Sequence, residues 1–177
     1  MNSSADPEIT IADAGVADVP ALAMLSTACA VNNYAHIAAP DELAAYCEQY
    51  HSRRFFAERL ADRHCAIRLA LLPNGSPVGY MMLDPAELAV GDHIPEVELK
   101  RLFVLPRYRG RRLGERLFEH ALADARDLHA RLVVSCEPDD SARRRFYESL
   151  GFVFAGERAF NFGKARYHDL VFVLAGA

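Results

Sequence analysis

The residues best placed to do chemistry stand in one run, VELKRLFVLPRYRGRRLGERLF, at positions 97–118. From Lys100 to Arg116 it holds Lys100, Arg101, Arg107, Arg109, Arg111, Arg112 and Arg116 against the single acid Glu115, in a chain whose formal net charge is −4. A cationic patch on an acidic protein suits a compact anionic ligand, and the overall charge argues against general nucleic-acid affinity. Pro106 ends an extended stretch, an Arg/Gly loop follows, and a helix begins near Arg112. The first amides of a helix lack internal acceptors and point along its axis, so with the helix dipole they form an anion site. Gly110 and Gly114 let the backbone approach a ligand closely. Each hydrogen bond to a charged oxygen contributes about 1.5–3 kcal/mol, and several together would hold a pyrophosphate. The plainer alternative is a solvated turn.

The elements that must position this loop follow from the pattern around it. Ile9–Ala12 reads as a short strand, and helical periodicity runs from about Val16 to Ala30. Pro40 and Asp41 open a second helical region reaching about Asp62, with Asp41 as its cap. VNNYAHIAA between them reads as loop. AIRLALL and VGYMML flank PNGSP and predict a hairpin, and the segment from Asp84 to Pro95 reads as a loop. EVELKRLFVL alternates, which places Glu98, Lys100, Leu102 and Val104 on one face and Leu99, Arg101, Phe103 and Leu105 on the other. A helix from about Arg112 to Leu128 carries an apolar face of Leu113, Leu117, Phe118, Ala121, Leu122 and Leu128. RLVVSC is a strand, SARRRFYESL a helix stopped at Gly151, and FVFAGERAFNF and YHDLVFVL are the closing strands. The expectation is one α/β (α+β) domain over residues 1–177, with a mixed, mostly antiparallel sheet of six or seven strands flanked by about four helices.

The loop from Arg109 to Gly114 resembles the acetyl-coenzyme A signature of the GNAT superfamily of N-acetyltransferases, Q/R-x-x-G-x-G/A after a strand and before a helix. Arg109 takes the first position and Gly114 the last, while Arg112 replaces the middle glycine. SARRRFYESLGF is similar to the family's N-x-x-A-x-x-F-Y-x-x-x-G-F helix. Phe146, Tyr147, Gly151 and Phe152 match, Ser141 stands at the Asn position and Arg144 at the Ala position. The resemblance implies a GNAT-like fold with acetyl-CoA as co-substrate. Arg109, Gly110, Arg111, Arg112, Leu113, Gly114 and Ser141 would meet the coenzyme, and Leu102, Phe103 and Val104 would border its pantetheine arm along a splayed strand. Tyr147 would lie beside the thioester sulfur and protonate the departing thiolate. The ending FNFGKARYHDLVFVL and the strand EVELKRLFV look like the bacterial polyamine N-acetyltransferase branch. Homodimers are common in the superfamily.

An amine similar to lysine has a pKa near 10.4, so deprotonating it at pH 7 costs about 4.6 kcal/mol. A general base therefore helps. Glu98 matches the position where some family members place a catalytic glutamate; Glu96 and His93 are alternatives, and an ion-pair role for Glu98 stays open. A backbone amide of Phe103 or Val104 would polarise the thioester carbonyl. Nothing suggests a covalent enzyme intermediate, so direct attack of amine on thioester is the simpler route. Arg143, Arg144 and Arg145 read as a solvated helix face, with a phosphate contact as the alternative. Tyr147 could instead pack in the core. His36, His51, His64, His120 and His129 read as surface residues, and His168 and Asp169 as packing or hydrogen-bonding residues. Asp84, Glu87, Asp92, Glu96 and Glu98 would favour a cationic acceptor, or are ordinary loop charges.

Cys29, Cys47, Cys65 and Cys136 are scattered and support neither a metal site nor a disulfide framework. No window is a membrane span and MNSSADPEIT lacks a signal core, so a cytoplasmic protein is expected. The function expected is an acetyl-CoA-dependent N-acetyltransferase acting on a primary amine, either a small molecule such as a polyamine or a peptide amine. The alternative is a non-catalytic acetyl-CoA-binding regulatory module.

Overall fold

Seven extended segments, each rich in β-branched, aromatic or leucine residues, pair into one sheet. The computed structural model describes residues 8–86, 95–162 and 165–175. The strands are β1 (Thr10–Asp13), β2 (Ala66–Leu71), β3 (Pro77–Pro85), β4 (Glu96–Val104), β5 (Arg131–Cys136), β6 (Phe152–Phe162) and β7 (Ala165–Leu174). Their order across the sheet is β1-β2-β3-β4-β5-β7-β6. Every neighbouring pair is antiparallel except β4 and β5. The helices are α1 (Val19–Tyr34), α2 (Pro40–Tyr50), α3 (Arg53–Ala61), α4 (Leu113–Asp127) and α5 (Ser141–Ser149). None among the described residues is long and apolar enough to cross a membrane.

Both faces of the sheet are covered. On one, Leu117, Phe118 and Ala121 of α4 pack with Met81, Leu83, Val97 and Leu99. On the other, Leu22 and Leu25 of α1 and Phe56 of α3 pack with Leu69, Tyr80 and Met82. Leu117 is wholly buried, and truncating such a residue to alanine costs about 2–5 kcal/mol.

The second helical region is two helices. Ser52 caps the start of α3, its hydroxyl accepting from the Phe55 amide at 3.2 Å, so the chain turns between Tyr50 and Arg53. Asp41 is not the cap of α2. Extended Ala39 holds that place ahead of Pro40, and Asp41 lies in the first turn. α1 runs four residues past Ala30, to Tyr34, through part of the segment read as loop.

β4 departs from simple alternation. Met82 pairs with Arg101 and Leu83 with Leu99, so Lys100 is an extra residue, a β-bulge. The bulge exchanges the two faces of the strand midway. Val97 and Leu99 therefore join the α4 side with Leu102 and Val104. Glu98, paired with Asp84, shares its face with Arg101 and Phe103 instead. The expected grouping of Glu98 with Leu102 and Val104 is corrected on this ground.

Candidate active site

β4 and β5 pair only from Glu96–Glu98 to Arg131–Val133, and then part. β5 continues to Cys136 on β7, leaving the second half of β4 with an open edge. The Leu105 amide donates to Val78 of β3 at 2.9 Å, whereas the Val104 carbonyl accepts from Arg109 Nε at 3.2 Å. By strand alternation the backbone polar groups of Leu102 and Val104 face the gap, and those of Phe103 face β3. Val104, of the two amides offered by the sequence, is the one turned toward the gap.

Beyond β4 a 3-10 turn over Pro106–Tyr108 leads into the Arg/Gly loop. Gly110 has φ 76°, and Arg112 itself is left-handed at φ 55° and ψ 16°. The arginine that replaces a glycine thus keeps the backbone turn a glycine would make. α4 then begins at Leu113 with no side-chain cap. The Leu113 side chain is buried in the core and anchors the first turn. A Cβ at Gly114 would meet nothing, so no contact within the chain demands glycine there and the space is free for a ligand. Arg111 stacks on Tyr108 with 5.7 Å to the ring centroid, and Arg112 Nε pairs with Glu115 at 2.6 Å. Uncapped amides, a left-handed turn and an open glycine fit a pyrophosphate.

A cavity of about 340 Å³ opens beside the gap, lined by the bulged stretch of β4, the end of β5, the start of α5 and aromatic residues of α1–α3. Tyr147 lines it and is 5% exposed. Burial pushes its phenol up to about 12, against the opposing pull of Arg143, so the hydroxyl is protonated and available as a donor at neutral pH. Cys136 also lines the cavity, and burial raises its thiol, which keeps it un-ionised and a poor nucleophile.

Glu98 faces the same cavity but is 2% exposed and fully engaged. Arg158 donates to both its oxygens at 2.9 Å, Lys100 Nζ lies 3.2 Å away and Ser135 Oγ 3.5 Å. These contacts hold Glu98 in a buried ion-pair network. The Glu96 side chain is covered by its pairing with Arg131 and does not line the cavity, and His93 lies outside the described residues. Arg158 also reaches Asp169 at 3.6 Å; burial raises the Asp169 carboxyl, with Arg158 opposing. His168, its neighbour on β7, is exposed.

Of the residues expected at the site, Leu102, Phe103, Glu98 and Tyr147 meet at the cavity, and Arg109–Gly114 form the loop at the far end of the gap. Ser141 is exposed at the first turn of α5 and does not line the cavity. Arg143, read as part of a solvated face, reaches the cavity while paired with Asp140 at 3.2 Å. Tyr34, Tyr46, Tyr50 and Phe55 were not among the expected site residues, and Arg101 was expected only as part of the cationic run; three helices and β4 bring all five to one wall. His51, expected at the surface, is 2% exposed. Burial and then Arg101 hold its imidazole down at about 3, so it is neutral. It bonds Ser26, which also bonds Tyr80 at 2.7 Å.

The acids offered as attractors of a cationic acceptor are compensated. Asp84 pairs with Arg59 at 3.5 Å, Glu96 with Arg131 and Glu98 with Arg158 and Lys100, while Glu87 and Asp92 lie outside the described residues. Among the described residues no group of three His, Cys, Asp or Glu could hold a metal ion.

The model of the acetyltransferase (GNAT) family matches residues 31–152. An uncharacterized N-acetyltransferase of Mycobacterium tuberculosis is 35% identical over 136 residues, 76% of this chain and 83% of that protein. Two solved structures share the fold at low identity. The PaiA N-acetyltransferase of Thermoplasma acidophilum, in complex with coenzyme A, has a TM-score of 0.72 at 16% identity, covering 94% of this chain and 98% of that one. A ribosomal-protein-alanine N-acetyltransferase of Brucella melitensis has a TM-score of 0.68 at 22% identity, covering 93% and 98%.

Proposed function

The chain belongs to the acetyltransferase (GNAT) family, and from that premise we propose that it moves the acetyl group of acetyl-CoA directly onto a primary amine held in the cavity beside β4. The observation that carries this reading is the gap between β4 and β5, with a pyrophosphate-shaped loop at one end and Tyr147 at the other. Arg109–Gly114 hold the pyrophosphate, Leu102–Val104 flank the pantetheine arm, and the Val104 amide donates to the thioester oxygen.

Attack by the amine nitrogen forms the new C–N bond, and the C–S bond breaks as the thiolate leaves. An alkyl thiol has a pKa of ~8.5, so full proton transfer from a phenol near 12 is uphill by ~5 kcal/mol. Tyr147 therefore acts first by a hydrogen bond to the sulfur as charge builds there. The ammonium proton leaves through water to Asp169, whose raised pKa makes it a better acceptor than an ordinary aspartate. In this assignment Glu98 positions Arg158 and Lys100.

The acceptor is a small-molecule or peptide amine. A polyamine, the class suggested by the closing strands, is one arm of the test. Thiol release from acetyl-CoA is followed with spermidine, free amino acids, aminoglycosides and a lysine peptide. Turnover with at least one class is expected, with Tyr147→Phe losing about 10–100-fold in kcat while its coenzyme affinity stays within threefold. Coenzyme binding without turnover of any amine would overturn the reading.

A further inference from the structure

We propose that Arg101 is the anion-recognition residue of the cavity, so that the accepted amine also carries a carboxylate. This rests on the reading of the cavity as the acceptor site. The other cations on its walls each have an acid. Arg59 has Asp84, Lys100 has Glu98, Arg158 has Glu98 and Asp169, and Arg143 has Asp140. Arg101 has none among the described residues. Its Nη1 donates to Ser26 Oγ at 3.2 Å and its Nη2 to the Tyr50 carbonyl at 2.7 Å, both neutral acceptors. The guanidinium lies over Phe55 and Phe56, at 4.8 and 5.5 Å from the ring centroids.

Arg101 is 8% exposed and lines the cavity. A guanidinium has five N–H donors in a planar fork, and two are used here. The stacking rings and the Tyr50 carbonyl fix its plane, so the remaining donors are preorganised for a bidentate partner. Buried charge without a counter-charge is costly, and a carboxylate entering the cavity relieves that cost. Strand alternation sets Arg101 on the face opposite Leu102 and Val104, so the carboxylate is held from the α1–α3 side while the acetyl donor lies along the open strand edge. The same positive field lowers the pKa of a nearby ammonium, which raises the fraction of free amine.

Matched acceptors test this on the unmodified protein. Glycine, β-alanine and lysine are compared with their carboxamides, and N-terminal glutamyl or aspartyl peptide amides with their glutaminyl or asparaginyl counterparts. A carboxylate preference of at least tenfold in kcat/KM is expected in one of the two series. Preference in the first names a free amino acid, and preference in the second an acidic peptide terminus. Arg101→Gln should erase the preference, bringing kcat/KM for each carboxylate amine down to that for its carboxamide in the same variant; the wild-type ratio decides the matter if that variant does not fold. Turnover of carboxamides or of spermidine as fast as of every carboxylate amine would overturn the proposal with the acetyl-transfer reading intact. Absence of thiol release from all amines would remove that reading and this proposal with it.

Discussion

Replacing Glu98 by glutamine separates an anchor from a base. The side chain is 2% exposed and receives two hydrogen bonds from Arg158, with Lys100 and Ser135 alongside. Glutamine keeps the shape but removes the charge, and it turns one acceptor oxygen into an NH2 donor facing donors. Breaking a buried ion pair from one side costs about 3–5 kcal/mol. Arg158 retains Asp169 at 3.6 Å and Ser135 at 2.9 Å, and the Lys100 side chain is 18% exposed and can turn to water. The lower end, about 3 kcal/mol, is therefore expected. In a domain of this size 1 kcal/mol moves the melting midpoint by about 2–4 °C, so Glu98→Gln should lower it by about 6–12 °C. Thermal unfolding followed by circular dichroism measures this, and kcat is read well below the variant's midpoint. An anchor gives a large loss of stability with a kcat within about tenfold of wild type. An unchanged midpoint with a fall in kcat of about 100-fold or more would refute the reasoning and make Glu98 the base.

Two further predictions concern the backbone and the buried histidine. Arg112→Gly removes a side chain from a left-handed residue, and the midpoint should rise by about 1–3 °C despite glycine's greater freedom when unfolded; a lower midpoint would mean the turn is not strained. His51 has a folded pKa of about 3 against an ordinary 6.5, so above pH 6.5 it has no effect. Below that, the unfolded chain takes up a proton the folded chain refuses, and stability falls by about 1.4 kcal/mol per pH unit toward pH 3. Urea unfolding between pH 4 and 7 should show that slope flattened in His51→Gln, and equal slopes in the two proteins would defeat the assignment.

What the sequence made legible was local. The apolar stripe of α4, the Pro-Asn-Gly hairpin and the strand–loop–helix around Arg109–Gly114 depend on neighbours a few residues apart, and they stand where their periods put them. The division between α2 and α3 did not show, because burial of His51 against Ser26 and the Ser52 cap interrupt a helical pattern that continues on either side. The bulge at Lys100 was equally hidden. EVELKRLFV fits an unbroken period of two, and only pairing with β3 reveals the extra residue. That single step misassigned the partners of Glu98 on its own strand. The acceptor wall was out of reach for a different reason. Tyr34, Tyr46, Tyr50, Phe55 and Arg101 carry no shared spacing and meet only through the packing of α1–α3 on the sheet. Arg143 looked like one of three equivalent helix-surface arginines until the orientation of α5 was known.

The short union of β4 with β5 sets ladder against ligand. Three residue pairs join the strands before they diverge, and the edge beyond is left without the partner that sheets ordinarily demand. A regular β4, one residue shorter, would let the two strands zip further and gain backbone bonds. It would also fill the slot into which an extended ligand can lie as a surrogate strand. Lys100 is thus a spacer whose contribution is measured in the pairing it prevents. Variants selected for thermal resistance alone would be drawn toward deletions here, and would trade the slot for a tighter sheet.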